Sequence, residues 1–195
     1  MNRLGSFVVT VVVALLAFFC ITYIVLEVFN QRQMFVKVPK GSVQFRIDSD
    51  FSLTEIEKVR VAIRKWEVAS NGCLKVPFYI SSIPLSDIAR WSGDSLPTIY
   101  DASSFFNWKR YLASQLCLTP CLGVTQIYTG DIFILESGNE LFETVVLHEI
   151  GHVLLGGLHS DSKEDLMYPT VTGPKGISPR EMMSLQLLYC NFTNK

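Results

Sequence analysis

The stretch "HEIGHVLLGGLHSDSKEDLMYP", His148 to Pro169, contains every histidine of the 195-residue chain. Its first five residues follow the pattern H-E-x-x-H. Residues four apart on a helix lie about 40° apart around the axis and about 6 Å along it, so His148 and His152 would form a clamp for a metal ion. Glu149 is too close in sequence to be a ligand in the usual geometry. It is well placed to take a proton from a water molecule that the metal activates.

A third possible ligand, His159, follows the pattern directly. Neutral imidazole suits Zn²⁺, and a catalytic zinc site takes three protein ligands and leaves the fourth position open. We therefore predict one catalytic zinc ion bound by His148, His152 and His159. Asp161 is the alternative third ligand, because carboxylate oxygens also bind zinc. The five-residue pattern alone also occurs by chance, in which case the histidines would be ordinary core or surface residues.

The residues after His159 carry a family resemblance. "HEIGHVLLGGLHS" followed by "LMYP" resembles the metzincin metalloproteases and, within them, the matrixins: Ser160 follows the third histidine, and Met167 to Pro169 form the Met-turn. The closing "LQLLY" and the first helix with Trp66 also resemble matrixins. The resemblance implies an α+β catalytic domain with a twisted mixed sheet, three main helices and zinc at the active-site helix.

The resemblance also implies a role for each matching residue. Glu149 would be the general base and acid of peptide-bond hydrolysis, and Met167 would form a hydrophobic floor beneath the metal. Pro169 and Thr170 would shape the wall of the S1′ pocket. The strand 130–137 would pair with an extended protein or peptide substrate by β-augmentation; its central residues are Ile132, Phe133 and Ile134.

The chain departs from the matrixin pattern in two ways. Three residues, Val153 to Leu155, separate His152 from the glycine where the family has two. One extra residue turns a helix by about 100°, so a bulge, or an exit turn using both Gly156 and Gly157, must absorb it. No spare histidine is left for the second, structural zinc of matrixins, so we predict that this site is absent. The pair Gly130-Asp131 alone is not enough to predict a calcium site.

The rest of the chain indicates alternating helices and strands. Ser52 and Glu55 form a capping-box pattern before an amphipathic helix that ends at Asn71-Gly72. Strand-like runs are "VQF" near residue 45, "LKVPFYI" from residue 74, "PTIYD" from residue 97 and "GDIFILES" from residue 130. A buried helix follows from Glu140 to Leu155. The last helix has Ser178 as its N-cap, Pro179 at N1 and Glu181 at N3. This order predicts an α+β fold.

The N-terminal residues suggest a membrane segment. Residues 4–26 have no charged side chain, and a bilayer core needs about 20 apolar helical residues, whereas the apolar core of a signal peptide has about 7–15. We therefore predict a transmembrane signal anchor at 1–29, a linker at 30–41 and the metallopeptidase domain at 42–195. A cleaved signal peptide is the alternative. The anchor would make this a single-pass membrane protein. The even number of cysteines outside the segment favours the extracytoplasmic side for the catalytic domain.

Four of the five cysteines lie outside this apolar segment. Their even number allows two disulfides in an oxidising compartment, in any of three pairings. A Cys73–Cys190 bridge would join the ends of the first and last helices, and Cys117–Cys121 would close a small loop. The alternative is that all four are reduced and buried.

The formal net charge of −1 argues against a nucleic-acid-binding surface. The function predicted from the sequence is a membrane-anchored zinc endopeptidase. One alternative is a zinc-binding scaffold at the membrane, weakly active or inactive because of the extra residue. Another is a structural domain without metal.

Overall fold

The structure, a computed structural model, describes residues 43–82, 96–103, 122–126, 129–157 and 159–190. All of them belong to the compact unit Val36–Lys195. Three helices and five strands are found within these ranges. We number them in chain order: β1 Phe45–Ile47, α1 Leu53–Ala69, β2 Phe78–Ile80, β3 Thr98–Asp101, β4 Gly123–Gln126, β5 Asp131–Ile134, α2 Phe142–Leu155 and α3 Pro179–Tyr189.

The strands form one mixed sheet in the order β2-β1-β3-β5-β4. The first three pairings are parallel, and β4 runs antiparallel to β5 with Val124 opposite Phe133. The predicted α+β class, with a mixed sheet and three helices, is confirmed. The sequence did not distinguish β4 from the irregular region around it, because "GVTQ" has neither alternating polarity nor a run of large apolar residues.

Helix α1 begins and ends where the sequence predicts. Ser52 accepts a hydrogen bond from the backbone of Glu55, and the Glu55 carboxylate accepts one from the backbone of Ser52, which completes the capping box. Asn71 and Gly72 both adopt positive φ just beyond the end of the helix. The apolar face of α1 includes Trp66, whose indole is fully buried and donates to the carbonyl of Leu147 in α2 (2.9 Å). Helices α1 and α2 therefore pack directly against each other in the core.

The two faces of the sheet contribute to different clusters. Ile99, Ile132 and Ile134 face the helices and join the main core. Side chains alternate along a strand, so the neighbours of these residues point the other way. There Tyr100 and Phe133 stack with ring centroids 5.0 Å apart. The core thus lies between the three helices and one face of the sheet.

A disulfide joins Cys73, just after α1, to Cys190, which caps α3. Of the pairings that the sequence left open, the one between the first and last helices is therefore present. It closes a loop of 117 residues, and such a bridge stabilises a fold mainly by restricting the unfolded chain. Cys117 and Cys121 lie outside the described residues.

The predicted membrane location is corrected. No helix in the described ranges is both long and apolar enough to cross a bilayer. The proposed anchor, 1–29, and the linker, 30–41, lie outside the described residues. The extracytoplasmic placement, which rested on the cysteine count, is corrected together with the membrane location.

Candidate metal centre

Helix α2 carries the first two histidines inside the domain. Almost all of its side chains are buried, because the helix lies between α1 and the sheet. His148 and His152, one turn apart, are 4% and 9% exposed, with ring centroids 4.7 Å apart. The helix thereby presents two imidazoles from one face, as the spacing predicts.

The end of α2 resolves the question of the extra residue. The helix continues without interruption to Leu155 and stops at Gly156, which has a left-handed conformation with φ 86°. Gly157 follows with φ 81°. The backbone N–H groups of Gly156 and Gly157 both donate to the carbonyl oxygen of His152. The distance from the Gly157 nitrogen to that oxygen is 2.8 Å. Only glycine adopts two successive conformations of this kind at low cost, so the double-glycine turn absorbs the additional residue.

The chain beyond this turn brings His159 back to the other two rings. The His159 ring centroid lies 4.7 Å from that of His152 and 5.5 Å from that of His148. Each residue offers one ligand atom, and the three atoms lie within 4.8 Å of one another. Among the described residues this is the only group of three or more potential metal ligands. It contains His159 and not the alternative, Asp161.

The three ligand atoms would have to move closer together to bind a single zinc ion. In a tetrahedral site, two nitrogens that each lie about 2.1 Å from zinc are about 3.4 Å apart. An ion would therefore draw the ligand atoms, which lie within 4.8 Å of one another, together by up to about 1.4 Å. His159 is exposed, so it has room to make that movement.

A hydrogen bond fixes the tautomer of His148. Its Nδ1 lies 2.8 Å from the carbonyl oxygen of Leu166. Because a carbonyl can only accept, Nδ1 must carry the proton, and Nε2 keeps a lone pair for a metal. Burial also lowers the pKa of His148 to about 4. The ring is therefore neutral at pH 7, as a metal ligand must be.

The other two histidines are held neutral by the same cause. Burial is the largest contribution to the lowered pKa of His152, and the neighbouring rings of His148 and His159 lower it further. Partial desolvation of its ring also lowers the pKa of His159, although the residue is exposed. Three neutral imidazoles that converge on one point form a donor set suited to zinc.

Glu149 is buried under the edge strand β4. Its carboxylate Oε2 accepts a hydrogen bond from the Thr125 hydroxyl at 2.7 Å. A Cβ atom on Gly123 would lie 3.2 Å from Oε1, so the glycine lets β4 approach the carboxylate closely. Desolvation raises the pKa of Glu149 to about 7, while the bond from Thr125 acts in the opposite direction. A carboxyl group with this pKa can both accept and donate a proton near neutral pH.

Met167 lies directly beneath α2. Gly151 lies between His148 and His152 in the sequence of the helix. The Met167 sulfur is the atom nearest to where a Cβ on Gly151 would be. Met167 is 2% exposed. This contact explains why the helix has a glycine at position 151, and the role of Met167 as a floor beneath the metal stays a prediction.

The Met-turn is held in place by Glu181. The Glu181 carboxylate accepts hydrogen bonds from the backbone of Met167 (2.7 Å) and Leu166 (3.4 Å). It also accepts one from the backbone of Ser178 (2.6 Å), which completes the capping box of α3. Leu166 in turn accepts the bond from His148. One buried carboxylate thus links the start of α3 to the orientation of a metal ligand.

The expected substrate strand is corrected by the sheet. β5 pairs with β3 on one side and β4 on the other, so its backbone has no free edge for a substrate. Ile132 and Ile134 are fully buried, and Phe133 stacks on Tyr100 on the face away from the helices. The strand at this edge of the sheet, as far as the described residues extend, is β4.

Pro169 and Thr170 follow the Met-turn and are both exposed. Their part in substrate binding stays a prediction.

Several residues around the site were not predicted from the sequence. Thr125 gave no signal, because a single threonine in a weak strand is not distinctive. Glu181 was predicted only as a helix cap, although the same carboxylate also binds the Met-turn. Asp165 and Arg180 lie 15 positions apart, and no local pattern indicates that they form an ion pair.

Comparison with known proteins agrees with this geometry. No curated protein matched the chain. Among models of protein families, that of the matrixins matches residues 29–189, which is most of the chain and includes every residue of the metal centre. A match of this extent, over the fold and the site described above, means that the chain belongs to the matrixin family.

Proposed function

We propose that this protein is a zinc-dependent endopeptidase that hydrolyses peptide bonds in proteins or peptides. The observation that carries the proposal is the convergence of three neutral histidines on one point, with their ligand atoms within 4.8 Å of one another. His148, His152 and His159 would hold the zinc. When bound, zinc supplies a Lewis acid that acidifies water and polarises the scissile carbonyl.

Glu149 is the proton carrier of the proposed reaction. Its carboxylate takes the proton from the attacking water and returns it to the amine that leaves. A pKa raised by burial to about 7 suits both steps. The family supports the class of the reaction, and the burial of Glu149 supports its role.

An extended substrate would add to the sheet at the outer edge of β4. The unpaired backbone groups of an edge strand are a ready template for a further strand. Thr125 lies in this strand and donates to both the side chain and the backbone carbonyl of Glu149, at 2.7 and 3.1 Å. The substrate backbone would therefore lie beside the proton carrier, with Pro169 and Thr170 at the wall of the S1′ pocket.

The proposal is tested on the purified full-length protein by metal analysis, together with cleavage of a peptide library. We expect about one zinc per chain, cleavage that a chelator abolishes, and recovery when zinc is added back. Stoichiometric zinc without chelator-sensitive cleavage would favour the scaffold without peptidase activity. A protein without bound metal would favour a structural domain.

A second prediction concerns Thr125. Replacing it with valine keeps the shape of the side chain but removes the hydroxyl that orients Glu149. A hydrogen bond to a charged group contributes about 1.5–3 kcal/mol, so we expect kcat to fall by about tenfold or more with a smaller change in KM. Thr125→Ser keeps the hydroxyl and should retain most of the activity. Equal activity of the valine and serine variants would show that this bond has no role in turnover.

A further inference from the structure

The third ligand, His159, lies in a part of the chain with little support of its own. Unlike His148 and His152, it is exposed and does not belong to a helix. It follows Gly156 and Gly157, and glycine restricts the backbone less than any other residue. The position of His159 therefore depends on contacts made by the residues that come after it.

Those contacts begin at the next residue, Ser160. Its backbone N–H donates to the carbonyl of Met167 at 2.7 Å, so the chain beside His159 is paired with the Met-turn. Its hydroxyl donates to the Asp165 carboxylate at 2.5 Å and accepts from the backbone of Ser162 at 3.1 Å. Ser160 is thus fixed through both its backbone and its side chain.

Arg180, in the first turn of α3, completes the arrangement. Its Nε donates to Asp165 Oδ2 at 2.9 Å, and its terminal nitrogen contacts both Asp165 and the hydroxyl of Ser160. The Asp165 side chain is only 7% exposed, whereas that of Arg180 is 60% exposed. The arginine therefore reaches from the surface to neutralise a buried carboxylate, and a buried carboxylate without its partner is strongly unfavourable. We call Ser160, Asp165 and Arg180 the loop clasp.

We propose that the loop clasp positions His159 and thereby sets the affinity of the three-histidine site for zinc. The three residues act on His159 through the backbone of Ser160, so they are positioning residues. The inference rests on the zinc-binding part of the proposed function and does not require proteolysis.

The test uses the full-length protein and two measurements. One is the Kd for zinc, from competition with a chromophoric chelator; the other is the unfolding midpoint of the zinc-free protein. Arg180→Ala should weaken zinc binding by about 10–100-fold, the usual effect of removing a group that orients a ligand. Arg180→Lys keeps the charge without the forked geometry and should fall in between.

Arg60→Ala is the matched control. Arg60 is half-buried on α1, where it forms an ion pair with Glu57 at 3.4 Å and lies 5.6 Å from the centroid of the Phe78 ring. We expect its loss to leave the Kd for zinc within about twofold, because exposed pairs contribute only about 0–1 kcal/mol to stability and this pair lies on another element.

Asp165→Asn keeps the test valid if Arg180→Ala fails to fold. It removes the buried charge together with its interaction, so the exposed arginine is left in water at little cost. We expect weaker zinc binding here as well.

The outcomes separate the inference from the proposed function. If the wild-type protein binds zinc but the clasp variants bind it as tightly as Arg60→Ala does, the inference is wrong and the proposed function stands. The inference is equally wrong if the clasp variants lower only the unfolding midpoint, since a purely structural contact would do that. A wild-type protein that does not bind zinc overturns both.

Discussion

Glu149→Gln should reduce turnover by about 10²–10⁴-fold while the protein still binds zinc. Glutamine has nearly the same shape as glutamate and can still accept the bond from Thr125, but it cannot carry a proton between water and the leaving amine. General acid–base catalysis contributes about this much to an enzymatic rate. The measurements are kcat/KM with a peptide substrate and the zinc content of the same preparation.

The same variant should change how the stability of the zinc-free protein depends on pH. Burial raises the pKa of Glu149 from 4.5 to about 7, so the folded state holds this proton more tightly than the unfolded state. The stability that follows from this difference is present below pH 4.5 and is lost as the pH rises through 7. Glutamine has no charge at any pH. The free energy of unfolding of the variant minus that of the wild type should therefore rise by about 1–3 kcal/mol between about pH 5 and pH 8.

Glu143→Gln is the matched control for both measurements. It lies in the first turn of the same helix, where its exposed carboxylate pairs with Lys65. It should keep wild-type turnover and show no comparable gain between the two pH values. If Glu149→Gln instead cleaved peptides within a few-fold of the wild-type rate, the assignment of the proton carrier would be wrong.

Gly151→Ala should destabilise the protein. In an open helix the change would be favourable by about 1 kcal/mol, because alanine has a higher helix propensity than glycine. Here the new Cβ would overlap the sulfur of Met167 and lie 2.9 Å from a ring carbon of Trp66. Methionine can move, but the indole is fully buried and bonded to the carbonyl of Leu147. Overpacking costs about 1–3 kcal/mol, and with an overlap this close we expect the cost to exceed the gain in propensity.

We expect Gly151→Ala to weaken zinc binding as well. A displaced Met167 would move its neighbour Leu166, whose carbonyl orients His148. Thermal or urea unfolding of the zinc-free protein measures the first effect, and the Kd for zinc measures the second. Gly173→Ala is the control, since nothing lies within 4 Å of a Cβ placed there. Equal stability of the two alanine variants would mean that the close packing beneath α2 is not required.

The sequence predicted the parts of this protein that depend on local physics. The capping boxes at Ser52 and Ser178 are complete within one helical turn, so the starts of α1 and α3 could be located from a few adjacent residues. The spacing of His148 and His152 places both on one face of any regular helix. Gly156 and Gly157 likewise indicated a turn before the structure showed how it is made.

The prediction failed at β4 and β5, where the neighbour of a strand matters more than its own residues. "DIFI" is the more apolar strand, and the family resemblance suggested it as the one that binds substrate. Its apolar character instead reflects burial between β3 and β4, because an interior strand has neighbours on both sides. Among the described strands, the weaker one, "GVTQ", lies at the edge of the sheet.

The sequence by itself determined the candidate chemistry of this protein: an H-E-x-x-H pattern, a third histidine after it, and a Met-turn that resembles the matrixin pattern. Only the tertiary structure decided which contacts position these residues. The bond from Thr125 to Glu149, the contact of Met167 with Gly151 and the loop clasp all join residues on separate elements. No spacing along the chain encodes such contacts, because they exist only after the helices and the sheet have packed together.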